Sequence, residues 1–472
     1  MKKSLGYVVI SLFWLTACGG SSDDESGAPD ISPPPVTPEG LTRCDQQVEL
    51  ETVTTDSAIR FYLERDYAVG KPGSIAAKLN NQNVSDYQFT WSQTAGQPLT
   101  LTTVKSPILA FTASQAGSYS FSLSVTNNNV TSTESITINV DASQTAQLPV
   151  RVDHQSSEGS AVSFRIDSSD SSVPSDINWC IASGPALNVD ISSPEQALFT
   201  APNINEDTIS ILTASAIING TAVTDNVQLL ITNEPDISSP YFEQRLANTF
   251  AYQANSAYAD VLQDCVYSNQ LQQSCAISQL PLIGQASEVN TQAILDRVLV
   301  SHQWMGENFE YFLKNLDPNS DFATLLESVT AVVISYDVRP SFYWVVTGAI
   351  YLDPNDLWLL AAERDTIIEA PDFRSGFGND LDFLMPWRYV KNNSYTSYTT
   401  PRSIRTDRTP QQMMPDLASL LYHELAHAND FFPRSSHSSL IGPTLLDDYQ
   451  RRSSASELVS DQLVNFEPLT SQ

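Results

Sequence analysis

The sequence predicts a multidomain chain in which two all-β sandwiches precede an α+β domain. Three observations carry that prediction. At 472 residues the chain is too long for one core. From about residue 45 to 233, short apolar runs alternate with Ser and Thr at the period of half-buried strands. Past Pro235 the apolar spacing changes to three and four residues, as helices require.

The first eighteen residues read as a targeting segment. Lys2 and Lys3 precede an apolar stretch from Leu5 to Trp14, too short to span a bilayer as a mature helix. Leu15-Thr16-Ala17-Cys18 resembles the lipobox of bacterial lipoproteins, which implies a lipidated Cys18 at the new N-terminus. Gly19 in place of Asp favours the outer membrane, facing the periplasm or the cell surface. Residues 19–44 are mostly Gly, Ser, Asp, Glu and Pro and are expected to form a disordered tether. The formal net charge of −30 becomes about −32 once Lys2 and Lys3 leave with the signal. Such a polyanion repels nucleic acid and anionic lipid surfaces, so nucleic acid is excluded as a partner. Four cysteines remain after Cys18, an even count in an oxidising compartment. Cys265 with Cys275 closes a short loop and is the favoured pair, leaving Cys44 with Cys180. Spacing alone permits three pairings.

Residues 45–142 and 143–235 are the two predicted sandwiches. Tyr119, Phe121, Leu123 and Val125 alternate with serines. Trp91 and Trp179 stand 88 positions apart, as do Phe111-Thr112-Ala113 and Phe199-Thr200-Ala201. That repeat is the size of one immunoglobulin-like domain. The run Trp91-Ser92-Gln93-Thr94-Ala95-Gly96, with Gly117-Ser118-Tyr119 and Phe121 downstream, resembles polycystic-kidney-type (PKD) repeats of bacterial surface proteins. The resemblance implies spacers or binders. A spacer role is preferred, because a buried strand Trp offers no platform for a glycan.

Residues 236–472 form the predicted α+β domain. Apolar spacing predicts helices over 241–262 and 291–316, with His302 packed inside the second. The run 330–335 suits a central strand, and 345–353 another, of which 348–352 is the candidate sheet edge. A further helix is expected over 356–364. Arg374, Arg402, Arg405 and Arg408 cluster in a loop-rich region and are expected to pair structural carboxylates, the alternative being that one of them holds a substrate carboxylate.

The most informative stretch is His423-Glu424-Leu425-Ala426-His427. Thr409-Pro410 offers an N-cap and first turn, although Pro415 can move the start to Asp416. Leu417, Leu420, Leu421, Leu425 and Ala428 then supply a buried stripe. Residues four apart share a helix face, so both imidazoles can reach one Zn2+, with Glu424 beside them as general base. Downstream, Ser456-Glu457-Leu458-Val459-Ser460-Asp461 reads as a second helix with Glu457 and Asp461 on one face.

Together these residues resemble the zincin class of zinc metallopeptidases, and the thermolysin-like gluzincins within it. Those enzymes pair HExxH with an Asn-Glu-x-x-Ser-Asp type segment and bind an extended substrate along a sheet edge. The resemblance implies a zincin-like fold for 236–472, Glu457 as third zinc ligand and Asp461 as the partner orienting a ligand histidine. It spans about fifty residues and departs in places. Ser456 replaces Asn, the loop after His427 is longer, and Asn429 stands where an apolar residue is usual. The chain runs eleven residues past Asp461, leaving no lobe for that family's transition-state histidine. An upstream oxyanion donor, a shortened frame and a degraded relative all remain open. His437 is the rival third ligand, with Asp430 or another group behind it. The expected activity is hydrolysis of peptide or protein substrates by a lipid-anchored zinc enzyme. The competing readings are a non-catalytic surface adhesin or scaffold with a relic helix, and a zinc amidase acting on cell-wall peptides.

Overall fold

Alternation builds the N-terminal half of the molecule. The computed structural model describes residues 41–464 apart from 56–58, 81, 143–146, 152–153, 167–172, 286–289, 372–389, 398–399 and 402–403. Cys18, the rest of the targeting segment, residues 19–40, Arg374 and Arg402 lie outside the described residues. In the first sandwich, β1 (Glu51–Thr54), β2 (Ile59–Leu63), β3 (Pro72–Leu79) and β5 (Ile108–Thr112) form one sheet. It faces β4 (Gln88–Ala95), β6 (Gly117–Asn127) and β7 (Val130–Val140). Along β6 the apolar side chains Tyr119, Phe121, Leu123 and Val125 point into the core, where Phe121 meets Phe111 at 5.5 Å. The intervening hydroxyls pair outward across the ladder, Ser120 with Thr137 at 2.8 Å and Ser124 with Thr133 at 3.0 Å. Asn128 and Asn129 both take positive φ in the two-residue turn to β7, as the twist of a tight hairpin demands.

The second sandwich repeats the plan. One sheet runs β10 (Ser175–Ser183), β13 (Thr208–Ile218), β14 (Thr221–Thr232) and β8 (His154–Ser157). The other holds β11 (Val189–Asp190), β12 (Gln196–Thr200) and β9 (Ala161–Arg165). The 88-residue repeat is therefore structural. Each tryptophan is buried, and each indole N–H donates to a carbonyl fifteen residues on, Trp91 to Ser106 and Trp179 to Pro194, both at 2.9 Å. Cys44 is bonded to Cys180, and Cys265 to Cys275. The expected tether boundary shifts as a result. Residues 42–44 already lie along β10, with Ile181 N–H donating to Thr42 and Cys44 N–H donating to Ile181, each at 3.1 Å.

The C-terminal region corrects two predicted helices. Between 241 and 262, helix begins only at α1 (Ala259–Val266), and β15 (Phe250–Ala251) precedes it. The stretch 291–316 divides into α2 (Thr291–Leu295), β16 (Val298–Val300) and α3 (Gln303–Asn315). Val298, Leu299 and Val300 are completely buried within a sheet, and burial on both faces overrides a local helical rhythm. The strand expected over 330–335 is β17 (Val332–Ile334), central and buried. With β18 (Phe342–Trp344) and β19 (Ala349–Leu352) the sheet order is β15-β16-β17-β19-β18, parallel at its centre and antiparallel at both edges. The segment 348–352 is therefore interior, not an edge. The edge is β18. The helix expected over 356–364 is reduced to a 3₁₀ turn at Pro354–Asp356 and α5 (Ala361–Arg364).

The three regions are joined by buried polar groups. Lys71 of the first sandwich pairs with Asp225 of the second at 2.7 Å. Arg165 of the second pairs with Asp365 at 2.9 Å and with Glu369 beyond α5, and Arg364 and Arg405 complete that network. Burial alone would raise the Glu369 carboxyl, but Arg165, Arg151 and Arg364 outweigh it and hold it below the usual range. Arg405 and Arg408 thus have structural partners, Asp365 for the first and the carbonyls of Trp358 and Asn355 for the second. Among the described residues, no helix is long and apolar enough to cross a membrane.

Candidate metal centre

Helix α6 (Pro410–Phe431) carries the paired histidines. Thr409 caps it and exchanges side-chain bonds with Gln412, Pro410 takes the first turn, and Pro415 is accommodated inside without stopping the helix. Met413, Leu417, Leu421, Leu425 and Ala428 are fully buried and bind this face to the sheet. The opposite face presents His423, Ala426, His427 and Asp430, the i, i+3, i+4, i+7 strip of a helix.

His423 and His427 lie one turn apart with ring centroids 5.3 Å from each other, edge to face. The His423 side chain is 63% exposed. Burial, then the neighbouring His423, hold His427 below the usual imidazole range against the pull of Asp430. A neutral ring is the form that binds a metal. Glu424 is 8% exposed and sits between helix and sheet. Its Oε2 accepts the backbone N–H of Tyr343 at 3.0 Å, and its Oε1 lies 3.9 Å from His423 Nε2. The middle residue of strand β18 thereby fixes the carboxylate beside the His423 ring.

The sequence passed over that strand. Phe342-Tyr343-Trp344 is aromatic enough to propose a strand, but three residues after Pro340 give no periodicity to read.

The downstream acids do not gather at the pair. Helix α7 (Leu445–Ser454) is followed by Ser456, whose φ of +55° turns the chain, and α8 (Val459–Val464) begins afresh. Glu457 is therefore in the turn, not on one helical face with Asp461. Its backbone N–H closes α7 on the Arg452 carbonyl at 2.9 Å, and its carboxylate faces Arg451 at 3.3 Å and Arg452 at 3.5 Å. Asp461 Oδ2 accepts the Leu458 N–H at 3.1 Å and caps α8. Both Asp430 oxygens hold Ser460, through its N–H at 2.6 Å and its hydroxyl at 2.8 Å. His437 is buried. Its Nε2 meets the Phe432 carbonyl at 3.1 Å, and its Nδ1 face is packed on Gly284. Asn429 donates to the Leu325 and Leu425 carbonyls and accepts from Ser328, which explains an amide where an apolar residue was expected.

Two imidazoles one turn apart fit two positions of a tetrahedral zinc site. Among the described residues, no group of three His, Cys, Asp or Glu side chains converges as a metal cluster. Glu457 and His437 do not join the histidine pair in this arrangement. His302 is packed, as the sequence indicated. It is 8% exposed at the start of α3, against Ser301 and the Tyr336 ring, and burial lowers its pKa to about 4.

Comparison with known proteins identifies one part of the chain. A PKD-domain family model matches residues 72–140, and this segment is a PKD domain. Among solved structures, the chain is similar to the PKD domain from KIAA 1837 protein, at 17% identity over 21% of this chain and 98% of that one, with a TM-score of 0.17. It is also similar to domains 4 and 5 of the S-layer protein SbsC, at 12% identity over 39% of this chain and 98% of that one, with a TM-score of 0.14. A third likeness is to extracellular domains 3–5 of Drosophila OTK, at 12% identity over 39% and 62%, with a TM-score of 0.15. No curated protein matches the chain.

Proposed function

We propose that residues 236–472 are a zinc-dependent hydrolase of the zincin type, acting on peptide bonds, carried by a PKD-type sandwich pair and anchored to the outer membrane through Cys18. The observation that supports it is one geometry: two neighbouring imidazoles on an open helix face, with a carboxylate clamped between that helix and an antiparallel sheet edge. His423 and His427 would hold Zn2+, which supplies Lewis-acid polarisation and a more acidic water. Glu424 keeps Oε2 on the Tyr343 amide and moves the proton at Oε1, first from water and then to the leaving amine.

Purified protein should contain one zinc per chain and cleave denatured casein. Glu424→Gln should keep the zinc and lose at least about a hundredfold in rate. Equal rates in the two proteins would overturn the assignment.

A second reading is favoured by the engaged carboxylates of Asp430 and Glu457. In it, α6 is a relic within a surface scaffold, and metal analysis should find no stoichiometric zinc. If zinc is present and purified peptidoglycan peptides are cut while casein is not, the enzyme is a cell-wall amidase.

A further inference from the structure

The opposite edge of the same sheet borders a cleft of about 530 Å³ between the first sandwich and the C-terminal region. Four strand spacings separate β15 from β18, roughly 19 Å, so this cleft is distinct from the face that carries His423. Its lining is built for a particular chemistry. Tyr252 lies flat against α3 because Gly306 has no side chain; a Cβ there would meet the ring at 2.2 Å. Its hydroxyl is held by Glu310, so the half-buried ring is pinned at both ends. Around it stand the side-chain amides of Gln88, Asn248 and Gln263, none of which bonds another described residue. On the buried side is His302, whose Nδ1 is taken by Ser301 while its Nε2 has no partner among the described residues.

Amides that bond no other side chain can donate and accept at once, as hydroxyl groups need. A rigid ring offers a face to the C–H side of a sugar. Asp86 and Asp260 border the cleft, and Lys105 is turned to Thr90, so an anionic ligand is disfavoured in a chain of net charge −30. Strand β15, at two residues, is too short to take up a peptide by strand addition. We infer that this cleft is a binding site for a neutral oligosaccharide, formed jointly by the PKD domain and the C-terminal region.

The test is calorimetric titration of the full chain with neutral hexasaccharides of β-1,4-glucose, β-1,4-N-acetylglucosamine, β-1,4-mannose and α-1,4-glucose. A polyuronate hexamer and a neutral hexapeptide serve as the other arms. At least one neutral hexasaccharide should bind. Tyr252→Ala and Asn248→Ala should each weaken it about tenfold or more. Tyr252→Phe, which keeps the ring, should stay within about threefold of the parent. Glu424→Gln should bind as the parent does, which separates this site from the metal centre. If Tyr252→Ala does not fold, Asn248→Ala and the exposed Gln263→Ala decide. Binding of none of the four sugars, binding of polyuronate or peptide alone, or unchanged affinity in the amide variants would overturn the inference.

Discussion

Glu64 shows how a single buried acid can set a pH response. It lies in the seam between the sandwiches, accepting the N–H and hydroxyl of Ser74 at 3.1 and 2.8 Å, while Gln228 of the second sandwich donates to that same hydroxyl. Burial, then the charge of Asp225, push its carboxyl up to about 8. The folded protein therefore binds this proton more tightly than the unfolded chain, whose value is 4.5. The stabilising contribution is full below that lower value and disappears as pH rises through about 8. Unfolding temperatures measured at pH 5 and 8.5 should fall on alkalisation in the parent and less in Glu64→Gln, the remaining fall coming from Asp225, Glu234 and Asp356, whose carboxyls burial raises to about 6, 7 and 7. Glu457 gives a second test. Its carboxylate is 46% exposed on two arginines, so Glu457→Ala should cost at most about 1 kcal/mol and leave zinc content unchanged. Loss of the metal in that variant would restore it as a ligand. The histidine pair was legible in the sequence because four-residue spacing on a helix settles which side chains are neighbours. The position of Glu457 was not, because it depends on one left-handed residue, Ser456, that spacing does not reveal.

Helix α6 was readable along its whole length. Its cap, its buried stripe and its exposed strip are all local properties, and each has a measurable weight. Thr409→Ala removes the cap and should cost about 1 kcal/mol. Leu421→Ala, at a fully buried position facing the sheet, should cost roughly 2–5 kcal/mol. Urea midpoints of the two variants will show whether they differ in that order. Strand β18 is the counterexample. Its three residues become an edge only because β19 pairs on one side and α6 closes the other, and no local pattern carries that information. The same holds for β16, whose residues fit a helical rhythm until the parallel sheet claims them. Tertiary burial decided both.

Buried ion pairs tie the two sandwiches to each other and to the C-terminal region. Arg165→Ala strips Asp365 and Glu369 of a shared partner while leaving Arg405 and Arg364 in place. The expected cost is about 3 kcal/mol, the lower end for a broken buried pair. Scanning calorimetry should then resolve separate transitions where the parent gives a joined one. The Cys44–Cys180 bond adds a mechanical corollary. It ties residues 136 positions apart and encloses all of the PKD domain in a covalent loop. Tension applied ahead of Cys44 passes through sulfur straight to β10 and bypasses every strand before it. A pull on the N-terminus would leave the first sandwich slack, free to hold whatever it grips while the stretched chain bears the load elsewhere.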